Sequence, residues 1–167
     1  MFEIKTFFDE RTFTLTYVVF DPSSGDAVII DPVLDYDPAA SKIWTESADE
    51  VIGFAKNKDL NVRYVLETHA HADHLSGSQR VKESYPDAKL GISERITTVQ
   101  ETFKGVFDLP DEFPTDGRQF DVLLKDDQVI EAGTLSFKVI FTPGHTPACA
   151  TFQFAAAIFT GAAIVIP

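Results

Sequence analysis

The 167-residue chain sets 14 lysines and arginines against 26 aspartates and glutamates, a formal net charge of −12, and 44% of it is hydrophobic, with 15 phenylalanines. That length and apolar content fit one folded domain spanning 1–167, and the negative charge disfavours nucleic acid as a partner. A single cysteine excludes an internal disulfide and fits a reducing cytoplasm; no basic-then-apolar leader opens Met1-Phe2-Glu3-Ile4-Lys5, and no run reaches the roughly 20 apolar residues of a membrane span.

In chain order, Glu3 to Phe8 and Phe13 to Phe20 alternate as strands do. Asp21-Pro22-Ser23-Ser24-Gly25-Asp26 is a turn cluster, with Gly25 available for a positive φ, and Ala27 to Ile30 is the returning strand of a hairpin. Val33 to Thr45 reads as a loop. Ser47 or Thr45 is placed to cap a helix running to about Lys58, with Val51, Ile52, Phe54 and Ala55 as its apolar stripe. That helix returns the chain to Val62-Arg63-Tyr64-Val65-Leu66-Glu67, a buried strand, so the unit is strand-helix-strand and the class α/β. A further helix is expected from near Leu75 to just before Pro86, then a strand over Ala88–Ile92 and a helix from a Ser93 cap to about Phe103. Gly105 to Phe120 reads as irregular, and its neighbours Phe103, Phe107 and Phe113 as core in preference to a cleft wall. Val129-Ile130, Leu135 to Phe141, Ala150 to Phe154 and Ala157 to Thr160 read as strands.

All four histidines fall in two strand-end loops, which is not the scatter of solvated surface histidines. Three lie in Thr68-His69-Ala70-His71-Ala72-Asp73-His74, directly after the Val62 strand; His145 lies in Thr142-Pro143-Gly144-His145-Thr146-Pro147, after the Leu135 strand. Loops at strand ends carry chemistry because the sheet positions them. Neutral imidazoles suit zinc and iron, and a carboxylate is the harder partner. Residues two apart on extended backbone point the same way, so His69 and His71 can grip one ion, with Asp73 and His74 facing a second. His145 completes a three-histidine set, and three protein ligands with an open position are the pattern of a catalytic metal. The expected metal ligands are therefore His69, His71, Asp73, His74 and His145, with Asp73 also the group that orients or deprotonates a bound water.

His-x-His-x-Asp-His after one strand and Thr-Pro-Gly-His-Thr after a later one resemble the metallo-β-lactamase superfamily. Glu67 to Gly77 and Gly144 to Phe152 are similar to the persulfide dioxygenase branch and the related bacterial β-lactamase-like hydrolases; glyoxalase II enzymes share the first motif but usually lack the equivalent of Pro147 and Cys149. The resemblance implies the N-terminal half of an αβ/βα sandwich, a mixed sheet with helices on one face, its C-terminal half missing. It implies Fe(II) and oxidation of glutathione persulfide to sulfite or, alternatively, Zn(II) and hydrolysis of a thioester or lactone. It also makes Asp31 a support near the metals, where the residue pattern alone makes it a turn former. Cys149 has two readings, a small buried hydrophobe or a thiol that handles sulfane sulfur.

Two departures stand against the match. Family members place an aspartate after Phe-Thr-Gly, a bridging ligand in the hydrolases and the third iron ligand in the dioxygenases; here Ala162 follows Phe159-Thr160-Gly161. Relatives also continue into a second half with a further histidine ligand. A third expectation is therefore an inactive remnant serving as a structural or interaction module. A half sandwich exposes apolar surface, so self-association is expected.

Overall fold

The structure, a computed structural model, describes residues 1–70 and 75–161. Contacts divide these into two compact units: 1–67, 75–90 and 131–136, and 68–70, 91–130 and 137–161.

In the first unit, β1 (Glu3–Asp9) pairs antiparallel with β2 (Thr14–Phe20), Phe8 opposite Leu15. β2 turns through Gly25, at φ +77°, into β3 (Asp26–Ile30). All five β3 residues are buried, which is why residues 27–30 read as a continuous apolar run. The 33–45 stretch is not the expected loop. It forms β4 (Val33–Asp37) and β5 (Lys42–Trp44), paired antiparallel across a turn in which Asp37 Oδ1 accepts the backbone N–H of Ala39 at 2.9 Å. Its acidic residues mimic a loop because one of them works inward: buried Asp35 accepts the Ser47 N–H at 2.9 Å and the Ser47 hydroxyl at 2.7 Å, fixing the start of α1 (Glu46–Asn57). The Thr45 hydroxyl at that helix's N-cap turns to Asp49 Oδ2 instead of to backbone.

α1 buries Ala48, Val51, Ile52 and Ala55, and the Phe54 ring meets Phe7 and Phe20 edge-on at 5.6 and 5.8 Å. β6 (Asn61–Leu66) then lies parallel to β3, so the sheet is mixed. The helix expected from Leu75 starts three residues later. Leu75–Ser76 is instead β7, antiparallel to Leu34 and Val33, and α2 (Ser78–Ser84) begins after Gly77. Gly77 explains the shift. Its N–H donates to Pro32 O at 2.6 Å, and a Cβ there would lie 2.7 Å from Val33 O, so the chain is pressed flat against β4 before it can coil. Buried Asp26 accepts from Arg63 Nε at 2.6 Å and from the Thr134 N–H at 2.8 Å. Burial pushes its carboxyl up, but these hydrogen bonds and the guanidinium charge together hold it below the ordinary 3.8.

β8 (Lys89–Ser93) leads into the second unit. Ser93 does not cap the next helix: its hydroxyl accepts the Arg95 N–H at 3.2 Å, Glu94 precedes the first turn, and α3 (Ile96–Val106) continues past Gly105. β9 (Val122–Leu124), which the sequence reading did not anticipate, lies parallel to β8 with Ile92 beside Leu123. Ile92, Ile96, Val99 and Ala148 form a small core against Ala70, Phe120 and Leu123. Phe103 and Phe107 are not core. They are 40% and 64% exposed and stack on each other at 5.4 Å, while Phe113 is half-buried. β10 (Val129–Ala132) and β11 (Leu135–Phe141) flank Gly133, and β11, β12 (Ala150–Phe154) and β13 (Ala157–Phe159) pair antiparallel in that order. Phe137, Phe152, Phe154 and Phe159 interlock along these strands with ring centroids 5.3 to 5.7 Å apart.

Candidate metal centre

The histidine loop leaves the end of β6, where the Asp31 N–H donates to Leu66 O at 2.9 Å. Asp31 is buried and sits at φ +50°, a left-handed conformation that aspartate tolerates better than most residues. Burial, and then the Asp31 charge, raise the Tyr17 phenol above its ordinary value.

Thr68 and His69 are both buried. The Ala150 N–H at the start of β12 donates to Thr68 O at 2.8 Å, which joins the loop to the strand following the second histidine. The Thr68 hydroxyl lies 3.0 Å from His69 Nδ1. With the ring proton on Nδ1, the imidazole donates to that hydroxyl and Nε2 keeps a lone pair that a metal could take. Gly161, at φ +53°, makes room for this arrangement: a Cβ there would lie 2.3 Å from the Thr68 hydroxyl.

His145 arrives from the end of β11 on a loop organised by Cys149. The Thr146 N–H donates to Cys149 Sγ at 3.2 Å, the Thr146 hydroxyl lies 3.2 Å from the same sulfur, and the Thr142 N–H donates to Cys149 O at 3.0 Å. The thiol is buried and serves as an acceptor inside the turn, in keeping with its reading as a small core residue. The His69 and His145 rings meet edge-to-face with centroids 5.1 Å apart, one buried and the other exposed. Residues 76 positions apart thus converge within the second unit. His71, Asp73, His74 and Ala162 lie outside the described residues. Among the described residues no group of three or more His, Cys, Asp or Glu gathers in metal-binding range.

Residues 9–161 match the metallo-β-lactamase superfamily. The chain belongs to that superfamily. Glyoxylase B2 of Dictyostelium discoideum is 39% identical over 166 residues, 99% of this superfamily member and 57% of the relative. The mitochondrial persulfide dioxygenase ETHE1 of Bos taurus is 30% identical over 165 residues, 98% and 53% of the respective chains. Among solved structures, ETHE1 from Myxococcus xanthus superposes with a TM-score of 0.74 at 26% identity, covering 98% of this chain and 59% of that one. The chain spans about half the length of the curated relatives it matches. Both the family and the mixed α/β fold expected of it hold.

Sequence reasoning missed the supports of the site. Thr68 and Gly161 carry no ligand signature of their own. Only their placement beside the histidine loop, or inside the Phe-Thr-Gly motif, marks them.

Proposed function

We propose that this superfamily member is a metal-dependent enzyme acting on a small thiol-derived substrate, with His69 and His145 holding a single ion. The observation that carries the reading is the 5.1 Å convergence of the two imidazoles. Two imidazoles this close, drawn from loops 76 positions apart, are the donor type that zinc and iron take, and His69 and His145 would hold the ion. The donor set therefore fits a metal. In the zinc reading His71, Asp73 and His74 are the further ligands, with Asp73 also orienting water; the iron reading uses His69 and His145.

The favoured chemistry is oxidation of a persulfide such as glutathione persulfide. His69 and His145 are the two histidines that the dioxygenase resemblance assigns to iron, and Pro147 and Cys149 carry the likeness to that branch. Fe(II), when bound, supplies the activation of dioxygen. The chain's own part is to orient the buried His69 ring through Thr68, to fix the His145 turn through Cys149, and to leave the solvent side of His145 open to substrate. In the balanced reaction one sulfane sulfur is oxidised by four electrons to sulfite, dioxygen and one water supply its oxygens, and the thiol is released with two protons. Zinc-dependent hydrolysis of a thioester is the second reading, favoured by a probable metallo-hydrolase of Burkholderia pseudomallei that is 42% identical over 149 residues, 89% of this chain and 50% of that one.

Metal quantification on protein purified without added metal, with oxygen uptake on glutathione persulfide, separates these readings. About one iron per chain with uptake that disappears in His69→Ala supports the first. Zinc with thioester cleavage supports the second. If neither metal binds, and Ala162→Asp restores no affinity, a structural or interaction module is the remaining reading. Among the described residues no helix is long and apolar enough to cross a membrane.

A further inference from the structure

We propose that Glu67 is a positioning residue that clamps the histidine loop at both ends, an inference resting on the reading of that loop as a carrier of metal ligands. Glu67 is a carboxylate buried to 3% exposure at the last position before the loop. Its Oε1 accepts the hydroxyls of Ser76 and Ser78, which lie 9 and 11 residues further on, at the loop's exit. The Ser76 hydroxyl in turn accepts the Ser78 N–H at 3.1 Å. The exit is also pinned to β4, through the Leu75–Ser76 pairing and the Gly77 contact with Pro32.

Entry and exit of residues 68–75 are thus held by one oxygen atom. Every expected ligand of the first motif, His69, His71, Asp73 and His74, lies between those two anchors. A carboxyl oxygen can take two hydroxyl donors at once. An apolar side chain of similar size would fill this position at lower desolvation cost. What the carboxylate adds is a link between two backbone points that must keep a fixed separation for several ligands to share an ion. Tying two chain positions together lowers the entropy of the segment between them.

The test measures zinc affinity of the full chain by competition with a chromophoric chelator, alongside the visible spectrum of the cobalt-substituted protein. The variants are Glu67→Gln, Glu67→Leu and Ser76→Ala, each checked for folding by circular dichroism. Glu67→Leu is expected to weaken zinc binding about 10–100-fold and to shift the cobalt bands. Glu67→Gln, which retains a carbonyl oxygen to accept the hydroxyls, should recover most of the loss. Ser76→Ala, at an exposed position, removes one of the two donors and should fall between them; it decides the matter if Glu67→Leu does not fold. Wild-type affinity and spectrum in folded Glu67→Leu, or in Ser76→Ala, would overturn the clamp. A Gln variant as impaired as the Leu variant would overturn it too, because the acceptor would not be what matters. A wild-type chain that binds neither zinc nor cobalt would overturn the metal reading itself, and with it this proposal.

Discussion

Gly161→Ala tests whether the buried histidine is held from behind. The position lies at φ +53°, and the new methyl would sit 2.3 Å from the Thr68 hydroxyl oxygen and 2.7 Å from its Cβ. A left-handed backbone costs an L residue about 1–2 kcal/mol. Forcing a methyl into filled space typically costs about 1–3 kcal/mol more. The fold should therefore lose about 2–5 kcal/mol if the segment keeps its place. Relief requires Thr68 to rotate, which takes its hydroxyl away from His69 Nδ1, now 3.0 Å distant. Thr68→Val removes the same hydroxyl at nearly constant volume without touching Gly161, so it isolates the histidine effect from the strain. Urea unfolding reads the stability, and chelator competition reads zinc affinity. Both variants should bind zinc about 10–100-fold more weakly, the usual range for a group that orients a ligand, and only Gly161→Ala should lose several kcal/mol. If Gly161→Ala matches the wild type within about 0.5 kcal/mol, the noise of an ordinary surface change, and keeps wild-type affinity, the reasoning fails.

The Asp26 carboxyl titrates below 3.8 in the folded chain, so its ionised form stabilises the fold above that value, and the contribution is lost as pH falls through the lower folded value. The stability gap between wild type and Asp26→Asn, measured by urea melts from neutral pH down through the carboxylate range, should close on acidification; a widening gap would contradict the assignment. Cys149 is 1% exposed and accepts the Thr146 N–H, so a thiol reagent should label it only on unfolding, and rapid labelling of the native chain would refute its structural reading. Phe8, Phe13 and Leu15 are 55%, 78% and 41% exposed on the hairpin that forms the outer edge of the first unit's sheet. Self-association is expected there, and Phe13→Ser should lower the average mass seen by light scattering if that hairpin mediates it.

What the sequence revealed and what it hid divide along physical lines. The strand through Ala27, Val28, Ile29 and Ile30 was legible because burial on both faces leaves a continuous apolar run, and Asn61–Leu66 because its β-branched and aromatic residues include the buried Val62, Tyr64 and Val65. The histidines were legible because imidazole spacing in two strand-end loops has a chemical reason. Short elements held by side chains were not. β4 and β5 depend on Asp35 reaching Ser47, and β7 depends on Gly77 lying flat against Pro32, neither of which leaves a periodic trace. The phenylalanines of α3 misled for a different reason. Phe103 and Phe107 are spaced one helical turn apart and cover each other in place of a core. Thr68 was passed over because its value lies in one hydroxyl, aimed at the neighbouring ring.

Ala162 gives the iron reading a consequence that the zinc reading lacks. Oxygenase irons are commonly held by two histidines and one carboxylate, with the remaining positions open. Here the two histidines converge, while the residue after Gly161 offers a methyl. The deficit is then one anionic oxygen donor, and a small carboxylate in solution can replace it. Formate should raise iron occupancy and persulfide-dependent oxygen uptake in a saturable way, and Ala162→Asp, which restores the carboxylate that the resemblance expects after Phe-Thr-Gly, should abolish that response. In the zinc reading, His71 completes a three-histidine set and the remaining position belongs to water. Formate then competes with that water and inhibits. The sign of the formate effect separates the two chemistries without a structure of either loaded form, and inhibition accompanied by oxygen uptake on persulfide would contradict both accounts.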